Sequence, residues 1–161
     1  MKSMEEIISR KDAETQSKEN EIGSIIVDAS IEVHRLLGPG LLESVYESAL
    51  AHELELRGFA VQAQVPVDVT YKGIRFEQGF RVDLLVEKLV VVELKSVEQV
   101  SPAHRKQLQT YLRLTNLKLG FLLNFGAPLM KEGIIRSVNG LPESSPLGVS
   151  ASLRENTSFL R

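Results

Sequence analysis

The chain of 161 residues contains no cysteine. Disulfides and thiolate metal sites are therefore excluded, and a site for zinc is disfavoured. No apolar run approaches the roughly 18 residues of a membrane-spanning helix, so none is expected. The first twenty residues are too polar and too acidic for a secretory signal, which leaves cytoplasmic residence as the expectation. Charge of one sign is also missing. A net charge of −2 argues against a protein that coats nucleic acid non-specifically.

A hydrophobic fraction of 43% and a charged fraction of 25% suit one soluble domain with a proper core. Charge is unevenly placed. Between Lys72 and Lys118 nine basic residues face five acidic ones, a local excess of +4 that suits contact with phosphate.

Residues 1–20 are rich in Glu, Lys, Ser and Gln with little periodicity, and predict a flexible arm, either loose or a frayed helix. From Ile22 to Leu37, apolar residues recur at helical spacing until Gly38-Pro39-Gly40 ends the pattern. A second helix is predicted from about Leu41 to Arg57. Alternation at Val61, Ala63, Val65, Val67 and Val69 predicts a half-exposed strand, with Pro66 marking an edge or a bulge. Residues 74–86 and 89–97 read as two further strands joined tightly at Glu87-Lys88, the second apolar enough to be central. Ser101-Pro102 opens a helix that runs to about Thr115. A strand at 117–125 and a weaker one at 134–138 follow, then a flexible tail over 139–161. Helix, helix, three strands, helix, strand is an α/β sandwich on a mixed sheet, with the domain itself spanning 21–138.

The stretch Arg81-Val-Asp-Leu-Leu-Val-Glu-Lys-Leu-Val-Val-Val-Glu-Leu-Lys95 carries the chemistry. Asp83, Glu93 and Lys95 are charges set in sequence that otherwise reads as buried sheet. Buried charge without partners costs several kcal/mol, so such groups are normally paired or hold a metal. Glu93 and Lys95 are two apart on a strand and share one face, roughly 7 Å apart. The short turn at Glu87-Lys88 puts Asp83 beside Val92 or Glu93, so the three can meet. A register-fixing ion pair is the plain alternative. His104, Gln107 and Tyr111 form one helical stripe after the Glu-x-Lys strand and can face the same place. Glu43 opens the second helix, where a carboxylate also favours the helix dipole, and His34 can answer the last carbonyls of the first.

Gly40-x-x-Glu43-x-x-Tyr46 resembles the signature of the GxxExxY proteins within the PD-(D/E)XK nuclease superfamily. Arg81-Val-Asp83, Val92-Glu-Leu-Lys95, His104-x-x-Gln107-x-x-x-Tyr111 and Leu123-Asn-Phe-Gly126 resemble further blocks of that family, in the same order. The likeness spans roughly residues 22–138. It implies a restriction-endonuclease-like α-β-β-β-α-β core, with Asp83 and Glu93 as ligands of Mg²⁺ (or Mn²⁺) and Lys95 orienting water. It further implies that Glu43 completes the metal shell, directly or through water, and that Gln107 and Tyr111 support the lysine and touch nucleic acid. Val82 stands where the superfamily usually has proline.

The expected activity is therefore metal-dependent cleavage of phosphodiester bonds, in DNA sooner than in RNA. A homodimer is compatible with the chain, and no membrane partner is expected. Two rival readings use the same residues: a module that binds nucleic acid without cutting it, and a protein-interaction subunit whose acid cluster is structural.

Overall fold

The computed structural model describes residues 3–140. Helix α1 spans Met4–Leu37 and α2 Glu43–Leu56; strands β1 (Val61–Tyr71), β2 (Ile74–Val86) and β3 (Val90–Lys95) follow. Helix α3 covers Pro102–Thr115, then come β4 (Leu119–Asn124), a short 3₁₀ turn at Met130–Glu132 and β5 (Ile134–Val138). The five strands form one sheet in sequential order. Only β3 and β4 run parallel, and α3 makes the crossover between them. The result is an α/β fold on a mixed central sheet flanked by helices, consistent with the restriction-endonuclease-like class.

Residues 1–20 were expected as a flexible arm, either loose or a frayed helix; residues 4–20 are regular helix, continuous with the rest of α1. Ser3 and Glu6 form a reciprocal capping box that starts it, and straight-chain Glu, Lys and Gln favour helix without needing an apolar stripe. Burial begins only at Glu19 and Ile22, which is why periodicity was visible only from there. Most of the predicted C-terminal tail, from 141 onward, lies outside the described residues.

Two apolar clusters cover the two faces of the sheet. Ile22 and Ile26 of α1 and Tyr46 and Leu50 of α2 pack on Leu84, Val92 and Phe121. Leu108, Tyr111 and Leu112 of α3 pack on Val82, Val91 and Leu122. Strand β1 is an edge strand, as Pro66 anticipated, and β3 is central. The β2–β3 connection is the three residues Glu87-Lys88-Leu89, in which Glu87 and Lys88 both have positive φ (52° and 57°) and Leu89 N–H donates to the Val86 carbonyl at 3.0 Å. That geometry matches the right-handed twist of the flanking strands and fixes their register, with Leu84 opposite Val92.

The Gly38–Leu42 connection is held by Tyr46. Its hydroxyl donates to the Gly38 carbonyl at 2.5 Å and accepts from Leu41 N–H at 3.1 Å, while its ring stacks on Phe125 at 4.5 Å. Tyr46→Phe leaves both backbone groups without this partner. A loss of about 1–3 kcal/mol is expected in denaturant unfolding, with little change in the slope of the transition.

Candidate active site

Asp83 lies where β2 changes the face it presents. Val82 and Leu84 are two apart and would share a face on a regular strand. Yet Val82 packs under α3 and Leu84 under α1 and α2. Opposite this point on β1, Gln64 adopts φ 53°, a left-handed backbone that few side chains other than glycine favour. The switch turns Asp83 towards the end of β3 that carries Glu93 and Lys95. Its Oδ2 accepts from Leu94 N–H at 2.8 Å.

Glu93 and Lys95 alternate with Leu94 and share with Val91 the face covered by α3. Glu93 is 3% exposed, and Lys95 Nζ donates to its Oε1 at 2.9 Å. Its other oxygen, Oε2, is buried without a hydrogen-bond partner. Burial first, and then the neighbouring Asp83 charge, push the Glu93 carboxyl up to about 7. Burial likewise raises Asp83, against the opposing Leu94 hydrogen bond. For Lys95 burial alone would favour the neutral amine, but the Glu93 hydrogen bond and the surrounding acids outweigh it and hold the ammonium above its ordinary range.

Glu43 reaches the same site from the other helix layer. Its Oε1 accepts from Ser96 N–H at 3.2 Å, and Ser96 Oγ donates to the Leu41 carbonyl at 2.8 Å, so the start of α2 is pinned to the end of β3. The roles within Gly40-x-x-Glu43-x-x-Tyr46 then become physical. Gly40 takes φ 103°, Tyr46 ties down the loop, and Glu43 stands at the site.

On α3, Gln107 Nε2 donates to Tyr111 Oη at 2.6 Å, and the Tyr111 ring stacks on Phe80 at 4.1 Å. Tyr111 feels the charges of Glu93, Asp83 and Lys95, which places this pair as the α3 wall of the site. His104 does not join the row. Its Nδ1 accepts from Ser101 N–H at 3.2 Å and caps the helix. His34 also differs from expectation: Nε2–H donates across the fold to the Ala127 carbonyl at 2.9 Å, rather than to its own helix end.

Two residues escaped the sequence reading. Glu47, one helical turn after Glu43, is half-buried and raised by burial, with Asp83 and Glu43 adding to the rise. Gln64 stands between Glu47 and Asp83. The i, i+4 spacing from Glu43 could have indicated Glu47; no sequence signal marked Gln64.

Among the described residues, Asp83, Glu93 and Glu43 act on one ammonium, Lys95, a surplus of two negative charges when all are ionised, and Glu47 adds a further acid beside Asp83 and Glu43. Contrast Glu19, also buried with one unpartnered oxygen, which faces two cations, Lys118 and Arg136. That is a structural ion cluster; the Glu93 site is short of positive charge. Among the described residues no three acids or histidines are already gathered into a metal cage. The oxygen donors, the acid surplus and the unpartnered Glu93 Oε2 nevertheless fit a hard divalent cation at Asp83 and Glu93.

Downstream, Asn124 anchors the loop that follows Lys95. Its Oδ1 accepts from Val97 N–H at 3.0 Å and its Nδ2 donates to the Val97 carbonyl at 2.9 Å. A Cβ on Gly126 would collide with the Val97 backbone. Gly126→Ala should therefore lower Tm by several degrees in a thermal melt, a cost of overpacking of about 1–3 kcal/mol.

The sheet order and the helix layers define a fold of the restriction-endonuclease-like class, with the acids and lysine of β2 and β3 gathered at one place on its sheet. Residues 20–137 match the family model of the PD-(D/E)XK nuclease superfamily, and the chain belongs to that superfamily. No curated protein and no solved structure matched the chain. Among the described residues no helix is long and apolar enough to cross a membrane.

Proposed function

We propose that this protein is a divalent-metal-dependent nuclease of the GxxExxY type that hydrolyses phosphodiester bonds in DNA. The observation that carries this reading is the unpartnered, buried Glu93 Oε2 beside Asp83, in a site with more acids than cations. Asp83 and Glu93 would hold the metal, with Glu43 close by at the start of α2. When bound, Mg²⁺ or Mn²⁺ polarises the scissile phosphate and lowers the pKa of an attacking water. Lys95, fixed by Glu93, orients that water and offsets charge building on the phosphate. Leu94 N–H keeps Asp83 in place. Gln107 orients the Tyr111 hydroxyl, and Tyr111 with Phe80 forms the wall against which nucleic acid lies.

DNA rather than RNA as substrate and action in the cytoplasm complete the proposal, the first from the family resemblance and the second from composition; a homodimer is compatible with it. The test is incubation of the purified protein with single-stranded DNA, double-stranded DNA and RNA, in Mg²⁺, in Mn²⁺ and in EDTA. Cleavage of DNA only with metal is the expected outcome. Binding that survives EDTA, with no cleavage under any condition, would replace the proposal by a non-cutting binding module.

A further inference from the structure

Gln64 connects two carboxylates that belong to different layers of the molecule. Its Nε2 donates to Glu47 Oε2 of α2 at 2.7 Å and to Asp83 Oδ1 of β2 at 3.4 Å. Asp83 thus has both oxygens engaged, one by Leu94 N–H and one by the Gln64 amide. The amide is itself aimed by the shorter bond to Glu47. Gln64 is also exposed, and its left-handed φ of 53° is a conformation that a glycine would hold more readily. Neither packing nor backbone preference accounts for a glutamine there; the placement of its amide does.

We propose that Gln64 is a positioning residue for Asp83, held in turn by Glu47, so that α2 sets the orientation of a β2 carboxylate through one amide. This inference rests on the metal-site reading above. A carboxylate that ligates a metal depends on the hydrogen bonds made by its remaining lone pairs, and removing such a partner typically weakens binding about 10–100-fold. With Gln64 in place, Asp83 keeps one rotamer, and Glu47 spends its charge on the amide.

Gln64→Gly separates this role from a structural one, because the two predict changes of opposite sign. Glycine relieves the left-handed backbone, so Tm in EDTA should hold or rise. Meanwhile Mn²⁺ affinity, read by calorimetric titration of the protein alone, should fall about 10–100-fold. Glu47→Gln, whose amide oxygen still accepts from Gln64, should retain most of the wild-type affinity, whereas Glu47→Ala should approach Gln64→Gly. Asp83→Ala serves as the reference. If wild type binds Mn²⁺, Asp83→Ala does not, and Gln64→Gly equals wild type, the positioning role is wrong while the metal site stands. If wild type binds no Mn²⁺, both are wrong.

Discussion

Lys95→Ala and Asp83→Ala are each expected to reduce the proposed metal-dependent DNA cleavage by roughly 10²-fold or more, with both proteins still folded. Removing a single preorganised charge-stabilising group costs about 10²–10³ in turnover, and among the described residues Lys95 is the cation that faces Glu93, Glu43 and Asp83. The two variants should differ in how they fail. Without Asp83 the cation loses a ligand, so raising Mn²⁺ restores part of the rate. Without Lys95 the cation still binds, and added metal restores nothing. The assay is initial rate against metal concentration on one DNA substrate. Wild-type activity in both variants would remove these residues from the chemistry.

Glu93→Gln should make the metal-free protein more stable at pH 8. In the folded chain the Glu93 carboxyl titrates at about 7, whereas its ordinary value is 4.5. Between these values the folded state holds a proton that the unfolded state has released, so stability falls as pH rises. Below about pH 4.5 both states are protonated and the penalty is absent; above about pH 7 it is complete. Asp83, also raised, adds a change of the same sign. The glutamine keeps an oxygen for Lys95 Nζ but carries no charge to desolvate. In EDTA its Tm at pH 8 should exceed wild type by several degrees, on the order of 1–3 kcal/mol. The decline of wild-type stability from pH 5 to pH 8 should flatten correspondingly. Added Mg²⁺ or Mn²⁺ should raise the wild-type Tm, because the cation answers the charge that the proton had cancelled, and should do little for the variant. If Glu93 were only half of a structural ion pair, Glu93→Gln would lower Tm and metal would change neither protein. Stability given up at this position is what a site built for a missing cation should show.

Much of this arrangement was legible in the residues. Period two placed Glu93 and Lys95 on one face, and the short connection at Glu87-Lys88 put Asp83 beside Val92 or Glu93, a register the structure fixes with Leu84 opposite Val92. Ser101-Pro102 marked the start of α3, and Pro66 marked an edge. Other features gave no such sign. The first turns of α1 are held by a cap and by intrinsic propensity, and a helix that buries nothing has no stripe to read. The change of face at Asp83 depends on Gln64 adopting a positive φ, and glutamine is not a residue that announces a turn. His104 shared the spacing of Gln107 and Tyr111, but the unsatisfied N–H at the helix start claimed its ring. Spacing reports which groups can share a face; competing backbone groups decide which of them remain available.

The most direct measurement is anomalous diffraction from crystals soaked in Mn²⁺. One strong peak is expected between Asp83 and Glu93, with Glu93 Oε2 no longer without a partner. A soaked crystal with no peak there, and with Lys95 still the sole partner of Glu93, would contradict the proposed metal site.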